Sequence, residues 1–264
     1  MDAVKNVGRG WLVALIAFLM IPAAYIELAP LLRDWARPPV TSETDLRAEV
    51  EKELAGFKTY QVLKEYYPEA YAQLLELVFR DMREGTDPQR ALIEGAEFTA
   101  NLRRQNAPYF AMASLQRLRL SLSAQIPQYD YVRTGYGFKV CNELVAKGGV
   151  ALTRTLGPDF LKDQTLMQLS DETTGYYFRT AAEGKSLKLK HLQPTVADWR
   201  ITVGYLKSKG MTDADLQLII EPGKHLDDKR MCDVAIKFYQ TITTMDNDAA
   251  QRIVPYLASV AAAG

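Results

Sequence analysis

The 264-residue sequence predicts an all-α protein, an irregular multi-helix bundle that follows an N-terminal transmembrane helix. Three observations predict this fold class. A long uncharged apolar run lies near the amino terminus, and apolar residues recur at helical spacing through nearly all of the remainder. Neither a long period-two alternation nor an Asn-Gly hairpin dipeptide occurs. Since no fixed repeat period appears, a bundle is favoured over a solenoid.

Composition excludes several classes of function. The chain carries 32 Lys and Arg against 32 Asp and Glu, so it lacks the basic excess typical of general nucleic-acid binders. Apolar residues make up 48% of the chain, enough for a sizeable core. Two Cys and two His are too few for a zinc cluster built from those residue types alone. The sequence therefore predicts no nucleic-acid partner, no metal site and no cofactor.

The first element is an apolar segment that could cross a bilayer. Residues 10–26 carry no charge, and apolar residues resume after Glu27 as far as Leu32. Seventeen helical residues span about 26 Å, and extension to Leu32 exceeds the ~30 Å hydrocarbon core. We therefore expect a transmembrane anchor over residues 10–32, preceded by a short cytoplasmic amino terminus at residues 1–9.

A cleaved secretory signal is the alternative for the same segment. A basic start, an eleven-residue apolar run and then Pro22 with two alanines also resemble a signal, although no clean A-x-A site follows. Both interpretations export the rest of the chain. Lys5 and Arg9 favour a cytoplasmic amino terminus, while Arg33 and Arg37 weaken the asymmetry. We expect a single-pass inner-membrane protein with a periplasmic body, or a secreted or periplasmic one after cleavage.

The remaining elements are a linker and a helical body. Two prolines within residues 33–42 predict an extended linker, and residues 43–264 form the body. Residues 127–137 are the most irregular section, so a split of the body near residues 126–137 and a single continuous globule are both open. Helices are predicted over residues 43–54, 57–66, 68–84, 88–105, 106–124, 138–146, 158–169, 171–182, 196–208, 213–220, 227–243 and 248–261.

The two cysteines are candidates for a disulfide. Cys141 and Cys232 both lie among apolar residues in predicted helices, 91 residues apart. In an oxidising compartment such a pair can close a bond across a long loop. The alternative is a pair of buried thiols that act as small apolar side chains.

A cluster of basic residues is a candidate surface for an anionic partner. Residues 185–209 contain six basic side chains and a single acidic one, Asp198. This excess suits an anionic lipid headgroup, a polyanionic glycan or an acidic protein surface. The alternative is a set of solvated helix ends and loops. The six are Lys185, Lys188, Lys190, Arg200, Lys207 and Lys209.

A second candidate surface is rich in tyrosine. Tyr129, Tyr131 and Tyr136 surround Arg133 in the section that is predicted to be irregular. Aromatic rings beside an arginine on a non-helical segment are typical of surfaces that anchor a partner protein. The same rings could instead belong to the core, with their hydroxyls reaching solvent.

No catalytic residue is identified by a motif. His191 and His225 stand alone, and Gly184-Lys185-Ser186 match the end of a phosphate-binding loop within a helical context that does not suit one. A non-catalytic role is therefore favoured: a membrane-anchored, exported helical protein acting in protein-protein interaction or as an accessory scaffold factor of an envelope assembly. Alternatives are an envelope hydrolase with dispersed carboxylates such as Glu94 and Glu97, and a soluble exported binding module.

Overall fold

The computed structural model describes residues 43–84 and 86–263. Helices joined by short connections make up this part of the chain, with no strand in it, so the all-α prediction is confirmed. The predicted amino terminus, anchor and linker, residues 1–42, lie outside the described residues. Within the described ones, every helix falls short of the length and apolar character that a bilayer-spanning helix requires.

The helices follow one another closely along the chain. The first eight are α1 (Glu43–Leu54), α2 (Lys58–Tyr66), α3 (Pro68–Glu84), α4 (Pro88–Phe110), α5 (Leu115–Ser123), α6 (Gln125–Tyr136), α7 (Phe138–Lys147) and α8 (Gly149–Leu156). After a 3-10 turn at Gly157–Lys162 come α9 (Gln164–Leu187), α10 (Val196–Ser208) and α11 (Asp213–Ile220). A second 3-10 turn at Pro222–Lys224 precedes α12 (Met231–Thr244) and α13 (Ala250–Ala263).

Capping residues fix the starts of α10 and α11 where the sequence predicts them. Thr195 and Thr212 each accept a hydrogen bond from the backbone N–H three residues later. The aspartates at those positions, Asp198 and Asp215, accept in return from the threonine N–H. Both starts are therefore reciprocal capping boxes, which satisfy donors that a helix start leaves unpaired.

Helix α4 continues through a predicted break. A new helix was expected to start at Asn106 and Pro108, but α4 runs on to Phe110 with Pro108 inside it. The Asn106 side chain donates to Leu102 O at 2.8 Å, within its own helix, instead of capping a new one. Because Pro108 lies in the last turn, the lost N–H and the ring clash disturb little of the helix.

The section predicted to be irregular is helix α6, so that prediction was wrong. Pro127 lies in the first turn of α6, where proline is tolerated, and Val132 is fully buried. Gly137 ends the helix with φ 84°, a conformation that favours glycine. Packing of the inward face outweighs the weak helix propensity of this stretch.

The region after Lys147 also differs from the prediction. Helix α8 was not predicted, and one helix, α9, replaces the two that were expected to meet near residue 170. Asp171 was expected to start the second of these. Its carboxylate instead accepts from Lys58 N at 2.8 Å and Thr59 N at 2.9 Å, so it caps the start of α2.

The body divides into two compact units that are discontinuous in sequence. The first comprises the described residues up to Thr99 together with Leu156–Gly175, and the second comprises Ala100–Thr155 and Tyr176–Gly264. Residues 126–137 lie inside the second unit. The first unit encloses buried side chains that include Leu54, Leu63, Val78, Leu92, Phe160 and Leu166.

Helix α12 is central in the second unit. It packs against α5, α6, α7, α10, α11 and α13. Met231, Cys232 and Ala235 on α12 have no solvent exposure. An element enclosed by so many neighbours must be apolar on most of its circumference, and the sequence of α12 meets that requirement.

Candidate docking surface

The two cysteines form a disulfide bond that joins α7 to α12. The Cα atoms of Cys141 and Cys232 are 5.8 Å apart, within the range that a disulfide spans. Both residues are fully buried, so neither sulfur is open to a substrate. The bond is therefore a structural feature of the second unit.

The six basic residues do not form one uniform patch. Lys207 on α10 is paired with Asp213 at 2.7 Å, and the Lys209 ammonium lies 5.5 Å from the centre of the Tyr205 ring. Lys188 and Lys190 lie in the extended connection at residues 188–195, and neither makes an ion pair within residues 43–84 and 86–263. Lys185, Lys188 and Lys190 lie at or just after the end of α9, where the Lys185 ammonium is 5.9 Å from the centre of the Tyr109 ring. Arg200 is exposed on α10.

We call residues 185–192 the Lys-Leu segment. Its three lysines alternate with apolar side chains that face solvent: Leu187, Leu189 and Leu192 are 50%, 40% and 72% exposed. Exposed leucines beside lysines, in the last turn of α9 and in the connection after it, cannot be explained by core packing. Such a segment offers apolar and cationic groups together to whatever lies outside the protein.

Two hydrogen bonds to backbone carbonyls hold the Lys-Leu segment in place. Leu189 N donates to Met112 O at 3.1 Å, and His191 Nε2 lies 2.9 Å from Ala113 O, which it reaches as a donor. Both acceptors belong to the turn between α4 and α5. The exposed leucines are therefore presented from an ordered backbone.

Glu183 anchors the same turn from helix α9. Its Oε1 accepts from Ser114 Oγ at 2.6 Å and from Ser114 N at 3.1 Å, and its Oε2 accepts from Arg117 Nε at 2.9 Å. Burial raises the pKa of Glu183, but these hydrogen bonds outweigh burial and leave the pKa below its ordinary value. Since the imidazole of His191 contacts Ala113 O, that ring is not placed to activate Ser114 as a nucleophile.

Glu183→Gln is expected to destabilise the second unit at neutral pH by about 1–2 kcal/mol, the cost of weakening charge-assisted hydrogen bonds. A depressed pKa in the folded state gives stability that is present above the ordinary carboxyl pKa and lost as the pH falls through the folded value. The difference between wild type and variant should therefore shrink below about pH 4. Urea unfolding followed by circular dichroism at several pH values checks this. A difference that stays constant from neutral to acidic pH would contradict the role of the ionised carboxylate.

A second apolar surface lies on α10 and α13, and we call it the apolar face. Val196 and Trp199 are three residues apart on α10, and Tyr256 and Val260 are four apart on α13, so each pair shares one side of its helix. The Trp199 and Tyr256 rings meet edge to face, 5.5 Å between centroids. Val196 is 77% exposed, Val260 55% and Tyr256 38%, while Trp199 is half-buried, so the four residues present apolar groups to solvent on two packed helices.

An ion pair joins α10 to α13, the two helices that carry the apolar face. Arg252 donates to both carboxylate oxygens of buried Asp198, at 2.8 and 2.5 Å. The hydrogen bonds from Arg252, followed by those from Thr195, hold the pKa of Asp198 well below its ordinary value. A bidentate arginine fixes direction as well as distance. It therefore holds the two halves of the apolar face in register.

The tyrosine cluster does not form an open surface. Tyr129 is buried and its ring lies 5.8 Å from the Tyr239 ring, so this ring belongs to the core, the alternative to a partner surface. Arg133 pairs with Asp130 at 2.8 Å and Asp233 at 3.1 Å. Tyr131 and Tyr136 are half-buried on α6. Because this stretch is helical, the Tyr129 side chain lies on the buried side of α6 and not on an open surface.

The carboxylates proposed for a hydrolase are not arranged for general acid catalysis. Glu94 in the first unit accepts from Arg90 at 2.7 Å and also from Arg80. The hydrogen bond from Arg90 holds the pKa of Glu94 below its ordinary value, against the effect of burial, whereas a general acid needs a raised one. Glu97 is exposed. Among the described residues, no three His, Cys, Asp or Glu side chains are placed to hold a metal ion.

Sequence reasoning identified the lysines of the Lys-Leu segment but missed its exposed leucines, and it missed the apolar face entirely. The Lys-Leu segment carries a local signal, an alternation of lysine and leucine without an acid from Gly184 to Ala197. The apolar face joins residues about sixty positions apart in sequence, and only the packing of α10 on α13 brings them together. Comparison with known proteins found no matching family model, no matching curated protein and no matching solved structure.

Proposed function

We propose that this chain is an exported, membrane-anchored helical protein that binds a partner protein through its apolar face, as an accessory or scaffold factor of an envelope assembly. The apolar face is the observation that carries the proposal. Trp and Tyr side chains contribute most strongly to protein interfaces, and here Trp199 and Tyr256 each have an exposed valine about one turn away on the same helix. The ion pair between Arg252 and Asp198 joins the two helices that carry the aromatic pair, and such pre-organisation lowers the entropic cost of binding.

The chemistry of the partner follows from the rim of the apolar face. Arg200 is exposed on α10, one turn after Val196. A partner helix that presents aliphatic residues toward Trp199, with an acid at its edge toward Arg200, would complement both features. Charge at the rim would favour the correct orientation more than it would add affinity.

Two further observations support export and anchoring. The Cys141–Cys232 bond suits an oxidising compartment, because disulfides are rare where cellular reductants keep thiols reduced. Residues 10–32 have the length and apolarity of a membrane anchor. A helical body tethered at a bilayer outside the cytosol would lie where envelope proteins assemble.

The proposal is tested by photo-crosslinking in cells that express the full chain. A photo-reactive phenylalanine analogue at Val260 should give one discrete adduct, heavier than the 29.7 kDa chain, in the membrane fraction. Val196→Glu should remove the adduct without unfolding the protein, since this side chain is mostly exposed. The same analogue at Gln217, exposed on α11, is the matched control and should give none.

Three outcomes would overturn the proposal. An absent adduct at Val260 would show that nothing docks there, and an adduct that survives Val196→Glu would show that the apolar face does not carry the binding. An adduct at twice the mass of the chain would mean self-association instead of a separate partner. The Gln217 control excludes adducts that arise from crowding alone.

A further inference from the structure

The Lys-Leu segment has the chemistry of a peripheral membrane contact. We propose that it docks on the surface of a bilayer that contains anionic phospholipids, with Leu187, Leu189 and Leu192 entering the headgroup region. This contact is separate from the apolar face. It rests on the proposed function only in that the anchor would keep the segment near a membrane.

The Lys-Leu segment carries a local excess of positive charge. Lys185, Lys188 and Lys190 lie within six residues, and the sequence holds no acid between Glu183 and Asp198. Those two flanking acids are already engaged by Arg117 and Arg252. The positive charge of the segment is therefore not neutralised by its sequence neighbours, and it remains available to a negatively charged surface.

The same segment also exposes apolar side chains to solvent. Lysines alone suffice to attract an acidic surface, whereas this segment also holds three leucines in water. Interfacial binding needs both kinds of side chain, because apolar groups enter the acyl boundary while lysines stay at the headgroups. The last turn of α9 and the connection that follows it expose both kinds of side chain within eight residues.

The backbone conformation of Lys188 is unusual and also supports the proposal. Lys188 has φ 51°, the only non-glycine residue with positive φ among residues 43–84 and 86–263. It directly follows α9, where glycine commonly ends a helix in this conformation. A lysine in that position is unfavourable for the fold. A functional need for positive charge at this position would explain why lysine occurs here instead of glycine.

The test uses the full chain reconstituted in vesicles, with a fluorescent probe on Leu192→Cys. The buried native disulfide leaves this residue as the reactive thiol. Nitroxide-labelled lipids should quench the probe in vesicles of phosphatidylcholine mixed with phosphatidylglycerol, and much less in phosphatidylcholine alone. A probe on Ser208→Cys, exposed at the end of α10, is the matched control and should remain unquenched in both.

A double variant, Lys188→Gln with Lys190→Gln, separates docking by charge from simple proximity. Each lysine near an anionic surface contributes about fivefold to binding, so the variant should weaken docking by about 25-fold and restore the probe's fluorescence. Lys188→Gly serves as a second variant that removes the charge while relieving the positive-φ strain. It should weaken docking by about fivefold without a loss of stability.

The outcomes distinguish this inference from the proposed tether. The inference would be overturned if the Leu192 probe stayed unquenched in anionic vesicles. It would also be overturned if quenching were equal in anionic and neutral vesicles, or equal with and without the double substitution. Protection of the probe only after an acidic protein is added would do the same, in favour of a protein partner. If the chain does not insert into the vesicles, the membrane anchor of the proposed function is contradicted. Flotation of the chain with anionic vesicles then measures docking of the Lys-Leu segment directly, and this inference is retained.

Discussion

Loss of the Cys141–Cys232 bond is expected to lower the free energy of unfolding of the second unit by about 4–5 kcal/mol. The two residues are 91 positions apart, and closing a loop of that length removes much of the unfolded chain's entropy. This is a large share of the ~5–15 kcal/mol that stabilises a typical domain. Helix α12 carries one of the cysteines and contacts most of the second unit, so the loss should spread through that unit.

The measurement compares three forms of the chain by urea unfolding: oxidised, reduced, and Cys141→Ala with Cys232→Ala. The reduced form keeps both sulfur atoms, so it reports the loss of the crosslink alone, whereas the alanine form adds the cost of two small cavities. We expect the order oxidised, reduced, alanine in decreasing stability. Coincident unfolding of the oxidised and reduced forms would show that the bond contributes nothing.

The same bond links stability to location. Exposed to a reducing cytosol, the chain would lose the stabilisation that the crosslink provides, although full burial of both cysteines slows the attack of a reductant. In an exported body the bond persists. Cells quenched in acid and alkylated under denaturing conditions should therefore show Cys141 and Cys232 unmodified if the body is exported.

Local signals predicted the parts of the fold that depend on neighbouring residues. The starts of α10 and α11 were predicted because each capping box lies within four residues, and those same four residues form it in the structure. Helix α3 was predicted over residues 68–84, as observed, from a leading proline and an apolar stripe. Such features need no knowledge of the remaining chain.

The parts that were missed depend on residues that are distant in sequence. Asp171 has the appearance of a helix start, but its carboxylate serves α2, more than a hundred residues earlier. Residues 127–137 contain proline and glycine, yet Val132 and Tyr129 are held by the core of the second unit. Tertiary packing decided both cases against local propensity.

Gly184→Ala is expected to destabilise the second unit by about 3 kcal/mol or more. A Cβ atom at this position would lie 1.8 Å from Tyr109 O and 3.0 Å from Ala113 N. Both atoms belong to the backbone, so no side chain can rotate away, and α9 must move from the end of α4. The fragment that resembles the end of a phosphate-binding loop thus owes its glycine to close helix packing.

Gly204→Ala is the matched control for this substitution. Gly204 also lies in a helix, α10, but a Cβ atom there would meet no described atom from outside that helix within 4 Å. Alanine at this position should stabilise the protein by up to about 1 kcal/mol, because it restricts the unfolded chain and favours the helix. Thermal unfolding of the two variants should therefore shift in opposite directions.

The Gly184 substitution also connects the packing of α9 to the Lys-Leu segment. Gly184 O accepts from Lys188 N at 2.8 Å, and the turn that Gly184 contacts is the one that holds Leu189 and His191. We expect Gly184→Ala to lose the lipid quenching of the Leu192 probe together with stability, whereas Gly204→Ala keeps both. Normal stability in Gly184→Ala would contradict the close approach, and normal quenching with lowered stability would show that the segment holds its conformation without that contact.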